Sequence, residues 1–530
     1  MDDLPMKKAK LSEESVSQVT FPRKMCNVLK RVFFHKCMTP KDIIGRENEK
    51  TFTPHYAHHF FPDEKISLLE GYETYIHIYY SCNWFDVYVD VEVVQSKNVG
   101  KEILSLSDAV RQDYINEIIR QLKTVTLEGD FCSREEFIER IKIDLVFLPG
   151  VTIDKFSKKL KLEENKEIQL RRIDLAEPEN LLTILNRGNN SGENDVCYEE
   201  HPIVKNFQTL HRRIEWFLHW YIESASSIDQ EDRWTIWLPV IIEKNALTII
   251  GIITTYLFFS MPKCRMRISQ VLIFPQYQGM GFGYTFLDAI YQFAIKNDDI
   301  MEITVEDPAP SMMQLRDIVD IEILIRNHFF KKDSFKPLED TELLKILENS
   351  KDSLNVLRDI TLSIFPPTQE WEDLKKKIHK LTKESPRQIA RLLVLIAFFK
   401  YFPEPMPKPQ LIDGDEQRGL RIGLEEGKFL YHKGIRYIYT IPLPLYKIHT
   451  FFINSFSDYK TSSLTQRKDS ERHTIDKLFR IAVKKKLLAD NSDSLFGMSQ
   501  SEMIQNLEYA WRQAYTSFCI SVRKIRSQYI

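Results

Sequence analysis

The stretch Ile268-Ser269-Gln270-Val271-Leu272-Ile273-Phe274-Pro275-Gln276-Tyr277-Gln278-Gly279-Met280-Gly281-Phe282-Gly283, together with its continuation to Asp307, decides the fold. Its first seven residues mix β-branched and bulky apolar side chains and stop at Pro275, which is the pattern of a strand. Gly279, Gly281 and Gly283 fall at alternate positions, so the backbone there can approach a ligand without Cβ atoms in the way. Phe286, Leu287, Ile290, Tyr291 and Ala294 recur at helical spacing, and Ile303-Thr304-Val305-Glu306-Asp307 reads as a further strand. A glycine loop that opens a helix directs N–H groups and the positive helix end at one point, most often a phosphate. A tight turn that only packs has the same outline. Two common phosphate motifs are absent from the loop: it has no Gly-Lys-Ser/Thr ending and no Gly-x-Gly-x-x-Gly spacing.

The pattern Gln278-x-x-Gly281-x-Gly283 resembles the acetyl-CoA pyrophosphate loop of the GNAT acetyltransferase superfamily. Ser269-Gln270 before the loop, and Val305-Glu306-Asp307-Pro308 and Leu315-Arg316-Asp317 after it, narrow the resemblance to the type B histone acetyltransferases. The clear resemblance covers residues 207–320. It implies that the backbone of Val271, Leu272 and Ile273 bonds the pantetheine arm as another strand would. It implies too that the N–H groups of Gln278, Gly279, Met280, Gly281, Phe282 and Gly283 hold the pyrophosphate, and that Ser311 reaches acetyl-CoA from the next helix start. Phe282 stands where the family often has a polar residue, which leaves a backbone role at that position. By the same resemblance Glu306 is the general base and Asp307 a second acid that assists or orients it. Trp234, Tyr256 and Phe258 match aromatic positions lining the histone-tail groove, although core packing accounts for each equally well. Tyr56, His58 and Phe61 followed by Asp63-Glu64 faintly resemble the family's N-terminal domain, where an acidic cluster contacts the histone tail; a charged surface loop is the other reading.

The 530 residues suggest about three domains at roughly 150 residues each. Apolar residues make up 43% and charged residues 28%, an ordinary globular balance. A net charge of −2 gives no argument for a nucleic-acid partner, and DNA is not expected. The seven cysteines are scattered with no Cys-x-x-Cys pair, which points to reduced thiols inside a cell and no metal site. No N-terminal apolar run reads as a signal peptide. The longest apolar run, Leu392 to Phe399, is too short to span a bilayer.

The expected architecture is α+β: a GNAT core with a small N-terminal α+β domain and a mainly helical C-terminal region. Residues 1–50 read as a polar, irregular tail, with Lys7-Lys8-Ala9-Lys10 as a solvated run or an import signal. Residues 51–180 read as the N-terminal domain. Thr74 to Tyr80 and Trp84 to Val94 are expected as strands, the second alternating Phe85, Val87, Val89, Val91 and Val93 against polar neighbours. A helix over Ile115, Ile118, Ile119 and Leu122 comes next, then a capping box at Ser133-Arg134-Glu135-Glu136. The polar stretch 178–199 reads as a linker. Residues 200–330 read as the acetyl-CoA-binding domain. It opens with a helix from Phe207 to Ala225 striped by Leu210, Ile214, Phe217, Leu218, Tyr221 and Ile222. Strands are expected over Thr235 to Glu243, Leu247 to Phe259 and Arg265 to Phe274, with Pro239 marking the first as an edge or bulged strand. Residues 335–530 read as mainly helical, with Ser385-Pro386 starting a buried helix. Lys484 to Lys486 and the aromatic stretch 437–452 carry no resemblance. Because the core lies before about residue 403, a chain ending there is expected to keep basal activity.

Acyl transfer to lysine needs a neutral amine. At pH 7 a free lysine is neutral in fewer than about one molecule in a thousand, a cost of about 4–5 kcal/mol. A carboxylate at a strand end, here Glu306, can take that proton. The resemblance thus implies acetyl transfer from acetyl-CoA to free histones, chiefly the N-terminal tail of histone H4. It also implies a WD40-repeat histone chaperone as partner and places of action in nucleus and cytoplasm. A GNAT enzyme for another amine and a non-catalytic histone-binding scaffold are the alternatives.

Overall fold

The computed structural model describes residues 23–44, 51–96, 106–125, 130–142, 150–156, 166–175, 202–229, 233–243, 246–329, 368–401, 483, 487 and 497–529. The Lys7–Lys10 run, the stretches 178–199 and 437–452, and Lys484 to Lys486 lie outside these residues. The architecture is α+β, and the chain forms two compact units: Met1–Ile253 with Gln270–Gln278, and Thr254–Ser269 with Gly279–Ile530.

In the first unit, strands already occupy the segment expected to be irregular: β1 (Arg23–Asn27) and β2 (Val32–Cys37). β2 is hard to read in sequence because His35 and Lys36 interrupt its apolar run, yet Val32, Phe34 and His35 are all buried. β1 pairs antiparallel with β3 (Lys65–Leu69). β2 runs parallel to β4 (Tyr72–Ser81), which pairs antiparallel with β5 (Val87–Gln95). β5 begins later than the alternation suggests. Phe85 lies in a turn with φ 52°, closed by the Ser81 hydroxyl accepting from Asp86 N–H at 3.0 Å. That turn drops the Phe85 ring into the core against Phe217, 5.1 Å away.

Two helices come next. α1 (Asp108–Leu122) buries Tyr114, Ile118 and Leu122. α2 (Arg134–Ile141) opens with the expected capping box: Ser133 Oγ accepts from Glu136 N–H at 3.2 Å, and Glu136 Oε2 accepts from Ser133 N–H at 2.9 Å. β6 (Val151–Lys155) and β7 (Lys166–Asp174) are paired antiparallel. α3 (Pro202–Leu218) buries Leu210, Ile214, Phe217 and Leu218 of the predicted stripe but ends short of Ala225; the turn after it buries Trp220 and Tyr221 and leaves Ile222 partly buried. Phe60 stacks on Trp220 at 4.1 Å, at the centre of an aromatic core.

β8 (Trp234–Glu243) pairs with β7 along its whole length and with β9 (Ala246–Ile249) over its last residues. It is therefore an interior strand with regular register to β7, not the edge or bulged strand that Pro239 suggests. The missing N–H is harmless because Pro239 lies where β9 ends. There its carbonyl accepts from Ile250 N–H at 3.0 Å, in the one-residue break before the next strand. β10 (Gly251–Ser260) and β11 (Lys263–Ile273) each have one end in either unit. In the first unit, a Cβ on Gly251 would lie 2.4 Å from the Leu272 carbonyl oxygen, so only glycine permits that approach.

In the second unit, β11 runs parallel to β12 (Ile300–Val305), joined to it through α4 (Phe282–Lys296). Among the described residues, the unit also has α5 (Pro310–Arg326), α6 (Thr368–Thr382), α7 (Pro386–Tyr401) and α8 (Gln500–Tyr529). The expected start at Ser385-Pro386 is present, with Ser385 Oγ accepting from Gln388 N–H. Ile321, Leu324, Leu392, Phe398, Val522 and Ile525 share one buried cluster, so the C-terminal helices pack onto α5. Among the described residues, no helix is long and apolar enough to cross a membrane.

Candidate functional site

The pairing of β11 with β12 ends at Ile268↔Val305, with one further bond from Glu306 N–H to the Ile268 carbonyl at 2.9 Å. β11 itself continues to Ile273. Val271 is half-buried there, while Leu272 and Ile273 are buried. A strand that outruns its neighbour offers main-chain donors and acceptors to an extended ligand.

A single 3₁₀ turn, Pro275–Tyr277, succeeds the strand. Gln278 N–H is taken up by the Pro275 carbonyl, and its side chain donates to the Ile273 carbonyl at 2.7 Å, clipping the loop back onto the strand end. Gly279 and Gly281 have φ 74° and 87°, left-handed values that favour glycine. At Gly279 an added Cβ would meet nothing within 4 Å, so the requirement there is conformational and the space in front of the loop is open. Gly281 is the N-cap of α4, and both the N–H and the hydroxyl of Thr285 donate to its carbonyl. N–H groups in the first turn of a helix have no partner within the helix. Met280 is exposed, whereas Phe282 is buried and stacks on Phe286 at 5.8 Å. An apolar residue therefore fits position 282, where the side chain faces the core and only the backbone faces the loop. Ser311 is exposed in the first turn of α5.

Glu306 stands just past the end of β12. Ser269 Oγ donates to its Oε2 at 2.6 Å, and Arg267 Nη1 lies 3.8 Å from its Oε1. Ser269 and Arg267 are two apart on β11 and so share a face of the sheet. The Arg267 guanidinium stands 4.3 Å from the ring centre of Phe258, and Phe258 meets Tyr256 edge-on at 4.7 Å. Tyr256, Phe258, Arg267, Ser269 and Glu306 are thus linked in a chain of contacts within the second unit. The Glu306 side chain is 47% exposed, enough to meet an incoming amine. Asp307 has φ 32° at the turn before Pro308 and is exposed.

Trp234 belongs to the first unit, where it is partly buried at the start of β8 and packs against the core. Asp63 and Glu64 also lie there, with φ 52° and 55°; Asp63 is exposed, and Glu64 Oε1 accepts from Ala57 N–H at 3.2 Å. Glu64 thus has a loop-closing contact beside any role toward a ligand. Sequence reasoning misses Arg267 as a neighbour of Glu306 and gives Ser269 no role. Their signal is the two-residue spacing on a strand that lies beside the one ending in Glu306.

Residues 26–223 match the family described as the histone acetyl transferase HAT1 N-terminus. The chain is 27% identical over 311 residues to the histone acetyltransferase type B catalytic subunit of Rattus norvegicus, covering 56% of this chain and 64% of that one. It is 35% identical over 176 residues to the subunit of the same name in Kluyveromyces lactis, covering 28% and 44%. A relative so named in Dictyostelium discoideum is 27% identical over 377 residues, covering 68% and 64%. The chain therefore spans just under two thirds of the length of the rat and Dictyostelium relatives. By its own residues and by these relatives, the chain resembles the catalytic subunit of type B histone acetyltransferase.

Proposed function

We propose that this chain is a histone lysine N-acetyltransferase that moves acetyl from acetyl-CoA to lysine side chains in the N-terminal tail of free histone H4. The observation that carries this reading is the Glu306 carboxylate, fastened by Ser269 at the end of β12 and joined through Arg267 to the aromatic pair Tyr256 and Phe258. The names of the relatives support the same activity. Acetyl-CoA supplies a thioester whose carbonyl carbon the amine attacks directly, without an acyl-enzyme: the amide bond forms as the C–S bond breaks, and CoA leaves as a thiolate that takes up the second proton of the amine nitrogen. The residues present fit that molecule: the extension of β11 at Val271, Leu272 and Ile273 would offer main-chain bonds to its arm, and the N–H groups of Phe282 and Gly283 in the first turn of α4 would receive its pyrophosphate beside Gly279, Met280 and Gly281, whereas the N–H of Gln278 is already taken by the Pro275 carbonyl. Ser311 would add a hydroxyl from the start of α5.

Glu306 accepts the proton of the lysine ammonium, so the amine becomes a nucleophile at neutral pH. Ser269 occupies Oε2 and fixes the rotamer, leaving lone pairs of Oε1 for that proton. The exposure of Glu306 lets the proton pass on to solvent. Tyr256 and Phe258 would flank the aliphatic stem of the lysine; for Trp234, Asp63 and Glu64 in the first unit, a role toward the histone tail rests on the resemblance alone. In this reading Asp307 is a second acid that assists or orients Glu306. The reading extends to H3 as companion histone, to a WD40-repeat histone chaperone as partner, and to nucleus and cytoplasm as places of action.

Mass spectrometry of an H4 tail peptide incubated with the protein and acetyl-CoA tests the proposal. Lysine acetylation is expected, and it should collapse in Glu306→Gln. Acetyl-CoA binding without transfer to any histone peptide would leave a binding scaffold. Transfer confined to other amines would leave the fold's chemistry but remove histone as the substrate.

A further inference from the structure

The strand that ends in Glu306 is held on its outer edge by the turn between α6 and α7, in the region where the sequence resemblance fades. The Lys383 carbonyl accepts from Ile303 N–H at 2.7 Å, and Glu384 forms a one-residue parallel bridge with Ile303. β12 thus has β11 along one edge and Lys383-Glu384 along the other. Both side chains of this dipeptide reach further elements. Lys383 Nζ donates to the carbonyls of Ala294 and Asn297, at 2.8 and 2.6 Å, at the C-terminal end of α4, where a cation suits the helix dipole. Glu384 is fully buried. It accepts from Tyr291 Oη of α4 at 2.6 Å and from Arg316 Nε of α5 at 3.0 Å, while Arg316 Nη2 also bonds Glu384 and donates to the Ile303 carbonyl at 3.4 Å. Lys383 itself has φ 54°, a conformation that non-glycine residues seldom take.

A buried ion pair is weak evidence for stability, because well-packed apolar residues of equal volume often do as well. Here the pair and its turn define where Ile303 lies, three residues before the carboxylate that would take the proton. We propose that Glu384 is a positioning residue: the Lys383-Glu384 turn fixes the outer edge of β12 and through it the direction of the Glu306 side chain. This rests on Glu306 being the base, as proposed above. Proton transfer is sensitive to such placement, since a displacement of about 1 Å can cost up to about 100-fold in rate.

Steady-state kinetics of the full chain with acetyl-CoA and H4 tail peptide test it in Glu384→Gln, Glu306→Gln and the double variant. Glu384→Gln should lower kcat by about 10- to 100-fold, with peptide KM and calorimetric acetyl-CoA affinity within about twofold of wild type. In the Glu306→Gln background the same change should cost nothing more, since no base remains to be aimed. Equal losses in both backgrounds, or an unchanged kcat in folded Glu384→Gln, would show a structural role only and overturn the inference. If Glu384→Gln does not fold, Lys383→Met keeps the buried pair while releasing the turn from α4. It should lower kcat several-fold, again only where Glu306 is present; an unchanged kcat there would also overturn the inference. A wild-type rate in Glu306→Gln itself would instead sink the assignment of the base, whatever Glu384 does.

Discussion

Glu306 owes its position to two successive residues of β11, the strand beside its own. Its N–H continues the ladder to Ile268, and its carboxylate is caught by Ser269 from the adjacent strand. Removing the base with Glu306→Gln should lower turnover by about 10²–10⁴-fold, with acetyl-CoA affinity nearly unchanged. The deficit should shrink from pH 6 towards 10, because lysine ionises without help as its own pKa is approached. Ser269→Ala should keep the base but free its rotamer. Water can replace the lost bond at this exposed carboxylate, so a loss of about 3- to 10-fold in kcat is expected, the scale of a net hydrogen bond of about 1 kcal/mol. Asp307→Asn should do less than Glu306→Gln, since Ser269 and Arg267 engage Glu306. Rate profiles of the three variants across this pH range check the order; a dead Asp307→Asn beside a normal Glu306→Gln would reverse the two roles.

At the level of elements, what can be read from sequence is what depends on local spacing. The glycine loop, the stripe of α3, the capping box of α2 and the strands of the core all obey short-range rules. What escapes depends on distant neighbours. β2 is a strand because Phe34 packs on Phe217 and Trp220, far along the chain, despite the polar residues beside it. Pro239 is tolerated inside a sheet because β9 ends opposite it. Gly251 is required by the Leu272 carbonyl, which no local pattern announces. The same limit hides the contacts of Arg267 with Glu306 and Phe258. The loop gives the prediction that belongs to this scale. Gly281→Val places a β-branched residue at φ 87° on the N-cap of α4, a strain of about 1–3 kcal/mol. The side chain would also stand where an anion must approach. Thermal stability should fall modestly, while calorimetric acetyl-CoA affinity should fall by more than tenfold. A folded variant with unchanged affinity would remove the loop from the site.

Across the molecule, stability should respond to acid through the histidines buried in the first unit. Burial pushes His211 down to about 3; it also pushes His219 to about 4, with His59 and His58 adding to the effect, against 6.5 for an unperturbed histidine. Below pH 6.5 the unfolded chain binds protons that the folded chain does not. This contribution is therefore complete above pH 6.5 and is lost as pH falls, by at most about 1.4 kcal/mol per pH unit for each histidine. Urea midpoints at pH 7 and pH 5 should drop in that order, and His211→Gln should flatten the drop. The second unit bears on the expectation that a chain ending near residue 403 keeps its activity; the structure argues the reverse. Such a chain lacks α8, which contributes Phe518, Cys519, Val522 and Ile525 to the core shared with α5 and α7. Each large apolar side chain so buried is worth about 1.5–3 kcal/mol, against about 5–15 kcal/mol for a whole domain. α8 also closes a polar network. Arg391 grips the buried Asp317 with bonds of 2.8 and 2.7 Å, while Ser517 Oγ meets Arg391 at 3.0 Å and Ser521 Oγ meets Asp317 at 3.2 Å. Losing that cover would admit water to the helix that comes directly after Glu306 in the chain. The truncated chain should show a much lower Tm or no cooperative unfolding of this unit, and little turnover even below its melting range. Phe518→Ala alone should be milder, about 3–5 kcal/mol, and should keep kcat at low temperature because it thins the core without removing the helix. If the truncated chain melts cooperatively near the full-length Tm and acetylates tail peptide at the full rate, α8 is dispensable and the packing on α5 is incidental to catalysis.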